Sequence, residues 1–82
     1  MKKVDLQITK TAIKSIKRLD KPMRDRILAG IKKLPLGDVK KLQGYDYFYR
    51  LRIGDYRIIY KLNGNTIIVS DVLPRGEAYK RF

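Results

Sequence analysis

Three arginines, Arg50, Arg52 and Arg57, fall within eight residues of each other, and Arg75 and Tyr79 follow near the chain end. Guanidinium groups bind phosphate through forked, charge-assisted hydrogen bonds. They also stabilise negative charge developing on a pentacovalent phosphorus. Tyr79 has two readings of equal weight. It can stack on a base or exchange a proton if guanidinium neighbours favour its phenolate, or it can simply anchor the tail as an aromatic.

Other chemistries are poorly served. The chain has no histidine, which removes imidazole acid–base catalysis and most zinc and iron sites. It has no cysteine, which excludes disulfides and thiolate ligands and fits a reducing cytoplasm. The carboxylates Asp5, Asp20, Asp25, Asp38, Asp46, Asp55, Asp71 and Glu77 are scattered, so a two-metal nuclease centre is not expected. Glu77, between Arg75 and Tyr79, suits an ion pair that orients Arg75. There is no phosphate-binding glycine loop, no dinucleotide fingerprint and, without histidine, no Ser or Cys paired with a His. No metal or other cofactor is expected.

Charge narrows the partners. Twenty Lys and Arg against eight Asp and Glu give +12 on 82 residues, so nucleic acid or an acidic protein is the first expectation. No apolar run is long enough to span a membrane, and the start, MKKVDLQITK, has no apolar signal-peptide core. Apolar residues at 44% suffice for one small globular domain over 1–82.

The elements that must position the arginines lie between Tyr47 and Leu73. Three alternating apolar segments are separated by Gly54-Asp55 and Asn63-Gly64, which predicts an antiparallel meander with strands near 47–53, 56–62 and 66–73. Gly54 suits a type II′ turn and Asn63-Gly64 a type I′ turn. A two-residue loop at 54–55 sets Ile53 opposite Tyr56, Leu51 opposite Ile58, Tyr49 opposite Tyr60 and Tyr47 opposite Leu62, the core face. The other face then pairs Phe48 with Lys61, Arg50 with Ile59, and Arg52 with Arg57. Like charges directly across a sheet destabilise it, and no acid stands on this face of the hairpin. A solvated basic face is the plain explanation, and an anion site on a rigid sheet the sharper one, which the arginine pair favours. On the sharper reading Arg50, Arg52 and Arg57 are on the solvent side, with Phe48 and Lys61 beside them. Tyr47, Tyr49, Tyr56 and Tyr60 belong by parity to the core.

Upstream, VDLQI (4–8) alternates as a short strand presenting Val4, Leu6 and Ile8. Thr9 can cap a helix carrying Ala12, Ile13, Ile16 and Leu19. Asp20 and Pro22 open a second helix carrying Met23, Ile27, Leu28, Ile31 and Leu34, ended by Pro35 and Gly37. The helical lysines and arginines read as outer faces of a hairpin packed on the sheet. Residues 36–46 read as a connecting loop. After the meander, residues 74–82 form a tail, too short to be a firm helix, that lies along the sheet or swings freely. The fold class is therefore α+β: a short strand, a two-helix hairpin, and a small antiparallel sheet ending in the three-stranded meander.

At these residues the chain resembles the RelE/ParE superfamily of toxin–antitoxin toxins over essentially its full length. The most specific part is YRLRIGDYRIIYKL followed by RGEAY. The resemblance to the RelE-like branch implies a ribosome-dependent, metal-independent endoribonuclease (an mRNA interferase) that inhibits translation. The substrate's 2′-hydroxyl would attack the adjacent phosphate and leave a 2′,3′-cyclic phosphate. It implies that Arg57 stabilises the phosphate, that Arg50 and Arg52 supply basic groups on the preceding strand, that Arg75 serves the leaving oxygen and that Tyr79 helps activate the 2′-hydroxyl. Phe48 and Arg50 stand where RelE has lysines, and arginine stays protonated, so the identity of the base is open. Implied partners are a cognate acidic, RelB-like antitoxin, the ribosome and mRNA. Two other readings stand beside this one: a ParE-like inhibitor of DNA gyrase on the same fold, and a non-toxic basic RNA-binding module.

Overall fold

The computed structural model describes residues 4–34, 36–42, 44 and 47–74. Strand β1 (Asp5–Ile8) leads into helices α1 (Lys10–Lys17) and α2 (Lys21–Lys32), followed by strands β2 (Val39–Lys41), β3 (Phe48–Ile53), β4 (Tyr56–Asn63) and β5 (Thr66–Pro74). The five strands form one sheet in the order β1-β5-β4-β3-β2, antiparallel except for β1 on β5.

Local chemistry starts both helices as expected. Thr9 has extended backbone, and its hydroxyl accepts the amide of Ala12 at 3.2 Å, satisfying one of the first-turn donors. Asp20 occupies the same position before α2, but its side chain makes no capping bond there, and Pro22 supplies the pre-set φ of a first turn. Both helices lie on one face of the sheet. Ala12, Ile16, Ile27, Ile31 and Leu34 pack with Leu51, Ile58, Tyr60, Ile67, Val69 and Val72 into the core. The rings of Tyr49 and Tyr60 stack there, 5.5 Å between centroids.

The hairpin register follows the alternation, with Ile53 on Tyr56, Leu51 on Ile58, Tyr49 on Tyr60 and Arg52 on Arg57. Several expectations are corrected. The second turn is Gly64-Asn65, since Asn63 pairs with Thr66. Positive φ occurs at Gly64 (61°) and at no described non-glycine residue, the pattern of a type II′ turn rather than type I′. Residues 36–46 are not all loop, because Val39–Lys41 pairs with β3 as an edge strand. Its two lysines are the residues that keep an edge from pairing with other chains, and they also erase the alternation that marks a strand. Tyr47 has core parity, yet it lies exposed beyond the part of the sheet that the helices cover, and Val4, Leu6 and Ile13 are exposed as well.

Glycine at 30 has a packing reason. A Cβ on it would collide with Ile53 Cδ1, so its absence lets α2 approach β3.

One irregularity matters for the rest. Tyr60 pairs with Val69 and Ile59 with Asp71, so Ser70 is an extra residue in β5, a β-bulge. Before it, Ile67 and Val69 face the core; after it, Val72 does, and Asp71 and Leu73 turn to the opposite face.

Candidate functional site

The face of the sheet away from the helices carries the arginines in two adjacent rows. One row runs Lys40, Arg50, Ile59, Asp71 across β2, β3, β4 and β5. The next runs Arg52, Arg57, Leu73. Phe48 and Lys61 form the row on the other side of Arg50, away from Arg57, where Phe48 packs with Leu42 against the buried Ile59 and Leu73. Of the seven residues singled out in the sequence, the fold thus brings together Arg50, Arg52, Arg57, Phe48 and Lys61. Arg75 and Tyr79 lie outside the described residues.

The three arginines differ in what holds them. Arg50 is half-buried, and its Nη1 donates to the carbonyl of Asp38 at 3.2 Å and stands 3.6 Å from the Asp38 carboxylate. The same carbonyl accepts the backbone amide of Arg52 at 3.0 Å, so Asp38 ties the entry of β2 to both arginines. Arg52 has its side chain exposed. Arg57 is only 4% exposed, which corrects the expectation of a solvent-side arginine. Its Nη1 donates to the carbonyl of Tyr56 at 3.3 Å, and its Nε is buried and, among the described residues, has no hydrogen-bond partner. A permanently charged group held with an unmet donor is costly, and sites that bind anions are where such groups persist. Of the three guanidinium groups, that of Arg52 is the most exposed and that of Arg57 the most buried.

Three further residues join this face or its rim. Asp71, 8% exposed, is an acid on the arginine face, brought there by the bulge. Lys40 arrives with the unexpected strand β2. Arg26 of α2 lies against the hairpin tip: a Cβ on Gly54 would sit 3.3 Å from its Nη1. Alternation in β5 puts Asp71 on the core face, where a carboxylate does not belong, and that conflict was the available signal for a bulge. Nothing local marks Arg26, whose position depends on how α2 crosses β3. Among the described residues no three of His, Cys, Asp or Glu are grouped to hold a metal ion, and no helix is long and apolar enough to cross a membrane.

This fold, with its arginine-bearing hairpin, is that of the toxins of type II toxin–antitoxin systems. A family model described as the ParE toxin of the type II system parDE matches residues 6–79, and the chain belongs to this RelE/ParE family. Within it the likeness is to RelE toxins. Toxin RelE3 of Methanocaldococcus jannaschii is 37% identical over 81 residues, spanning 89% of this chain and 92% of that protein. The toxin in a RelB-RelE antitoxin–toxin complex from Methanococcus jannaschii superposes with a TM-score of 0.78 at 36% identity, over 93% of this chain and 98% of that one. An archaeal RelE-RelB complex from Pyrococcus horikoshii gives 0.75 at 32% identity, over 89% and 96%. The chain is a RelE-like toxin of a toxin–antitoxin system.

Proposed function

We propose that this toxin is a ribosome-dependent endoribonuclease that cleaves mRNA by attack of a 2′-hydroxyl on the neighbouring phosphate. The observation that carries the reading is the Arg57 guanidinium, buried with an unmet Nε and flanked across the strand by Arg52. Fixed cationic donors of this kind act on charge that develops in the transition state. Arg50 and Arg52 would position the scissile phosphate, Phe48 and Lys61 the adjoining nucleotide. Arg75 would stabilise charge on the leaving oxygen and Tyr79 would hydrogen-bond the 2′-hydroxyl, in keeping with the family resemblance. The natural antagonist would be a RelB-like antitoxin, as in the two archaeal complexes, and +12 favours fast, salt-sensitive association with an acidic chain.

Primer extension on a reporter mRNA, with and without programmed ribosomes, tests this. Discrete cuts that need the ribosome and vanish in Arg57→Met support it. The family model is named for ParE, and that observation favours a second reading, inhibition of DNA gyrase. Intact mRNA together with arrested DNA supercoiling by the same protein would establish the second in place of the first.

A further inference from the structure

We propose that Lys40 of the edge strand β2 is the proton acceptor of the cleavage reaction, an inference that rests on the endoribonuclease reading. The chain has no histidine, and the arginines of the site cannot serve as bases because guanidinium does not give up its proton at accessible pH. The carboxylates beside them are engaged or buried: Asp38 stands 3.6 Å from Arg50 Nη1, and Asp71 is 8% exposed at the far end of its row. A lysine amine can. The arginine face carries two lysines within the described strands, Lys40 and Lys61. Lys61 is paired with Phe48, in the row further from Arg57. Lys40 is paired with Arg50, in the row adjoining Arg52 and Arg57.

Two features make Lys40 a fixed rather than an incidental neighbour. Two residues before it, the Asp38 carbonyl accepts both the Arg52 amide and Arg50 Nη1, which locks the register of β2 against β3. The side chain of Lys40 itself is exposed and, among the described residues, takes part in no ion pair. Neighbouring strands are about 4.8 Å apart, and an extended lysine spans more than that, so its amine can reach a ribose whose phosphate sits on Arg50 and Arg52.

In the step assigned here, the lone pair of uncharged Lys40 Nζ takes the 2′-hydroxyl proton. The 2′-oxygen bonds to phosphorus as the bond from phosphorus to the 5′-oxygen breaks. The departing 5′-oxygen takes a proton from water, and the ammonium of Lys40 returns its proton to the hydroxide so formed. Arg50 and Arg52 hold the phosphate throughout and exchange no proton.

The test compares wild type, Lys40→Arg and Lys40→Met in single-turnover cleavage of a reporter mRNA on programmed ribosomes between pH 6 and 9. Ribosome binding is followed in parallel by co-sedimentation. Lys40→Arg keeps the positive charge and removes the exchangeable amine. Wild type is expected to cleave faster as pH rises, as a reaction that needs a deprotonated base does. Lys40→Arg is expected to bind ribosomes as wild type does, yet cleave 10²- to 10⁴-fold more slowly, on the order of a lost general base, with the pH dependence gone. Lys40→Met should be equally slow. A Lys40→Arg variant with the wild-type rate and pH profile would overturn the assignment while leaving the endoribonuclease reading intact. Wild-type protein that binds ribosomes and cuts nothing would overturn both.

Discussion

The hydroxyl of Ser70 donates to the carbonyl of Ile59 at 3.3 Å, at the point where β5 carries one residue more than β4. That single extra residue decides which side of the sheet the end of β5 faces. It puts Val72 on the core side opposite Ile58, and Asp71 and Leu73 on the arginine side opposite Ile59 and Arg57. A strand without the bulge would carry Asp71 into the core. The bulge is tied to the first helix as well: Thr9 donates its hydroxyl to the carbonyl of Ser70 at 3.0 Å while accepting the amide of Ala12.

Thr9 therefore holds two structures at once, the start of α1 and the bulge. Thr9→Ala should lower stability by about 1–2 kcal/mol, the sum of a lost cap and a lost hydrogen bond less what water restores. Thr9→Ser should recover most of it. Urea denaturation of the three proteins decides this, and an alanine variant as stable as wild type would show that the hydroxyl is idle.

Arg57 should trade stability for function. Its guanidinium is buried with one unmet donor, and a buried charge that is not fully hydrogen-bonded is costly, a cost that an apolar side chain of similar length removes. Arg57→Met is expected to keep or raise the melting temperature and to lose cleavage. A large drop in melting temperature would mean that the arginine supports the fold, and loss of activity would then carry no information on chemistry.

Gly30 and Ile53 form a tight pair. Alanine in a helix interior normally gains about 1 kcal/mol over glycine. Here its Cβ would run into Ile53 Cδ1, an overpacking worth roughly 1–3 kcal/mol. Gly30→Ala should be destabilising by itself. Ile53→Val removes the obstructing methyl and alone costs about 0.5–1.5 kcal/mol. In the double variant the two losses should fall well short of additive, and strict additivity in a double-mutant cycle would rule the clash out.

Tyr60 gives the fold an alkaline limit. Burial raises its hydroxyl from 10.0 to about 12, and the neighbouring Tyr49 pushes in the same direction. A raised pKa in the folded state means that the native protein holds the proton more tightly than the unfolded chain. The contribution is complete below about pH 10 and is lost as pH climbs towards 12, at a slope of at most roughly 1.4 kcal/mol per pH unit. The informative quantity is wild type minus Tyr60→Phe, in which effects common to both proteins cancel. That difference should shift against wild type as pH rises from 10 to 12, and a constant difference would contradict the burial of the phenol.

The sequence alone determined the parts that depend on near neighbours. Helix starts at Thr9 and Asp20, the core stripes of α1 and α2 apart from Ile13, and the pairing of β3 with β4 all follow from spacing and turn chemistry. A two-residue loop leaves the first hairpin one register, so Arg52 had to face Arg57. What only the tertiary structure decided was set by elements distant in the chain. β2 is a strand only because β3 offers its edge to Val39–Lys41. Asp71 shares a face with Arg50 and Arg57 only because a bulge braced by Thr9 shifts the phase of β5. The same holds for the burial of Arg57: parity assigns a residue to a face, and what lies over that face is a property of the whole fold.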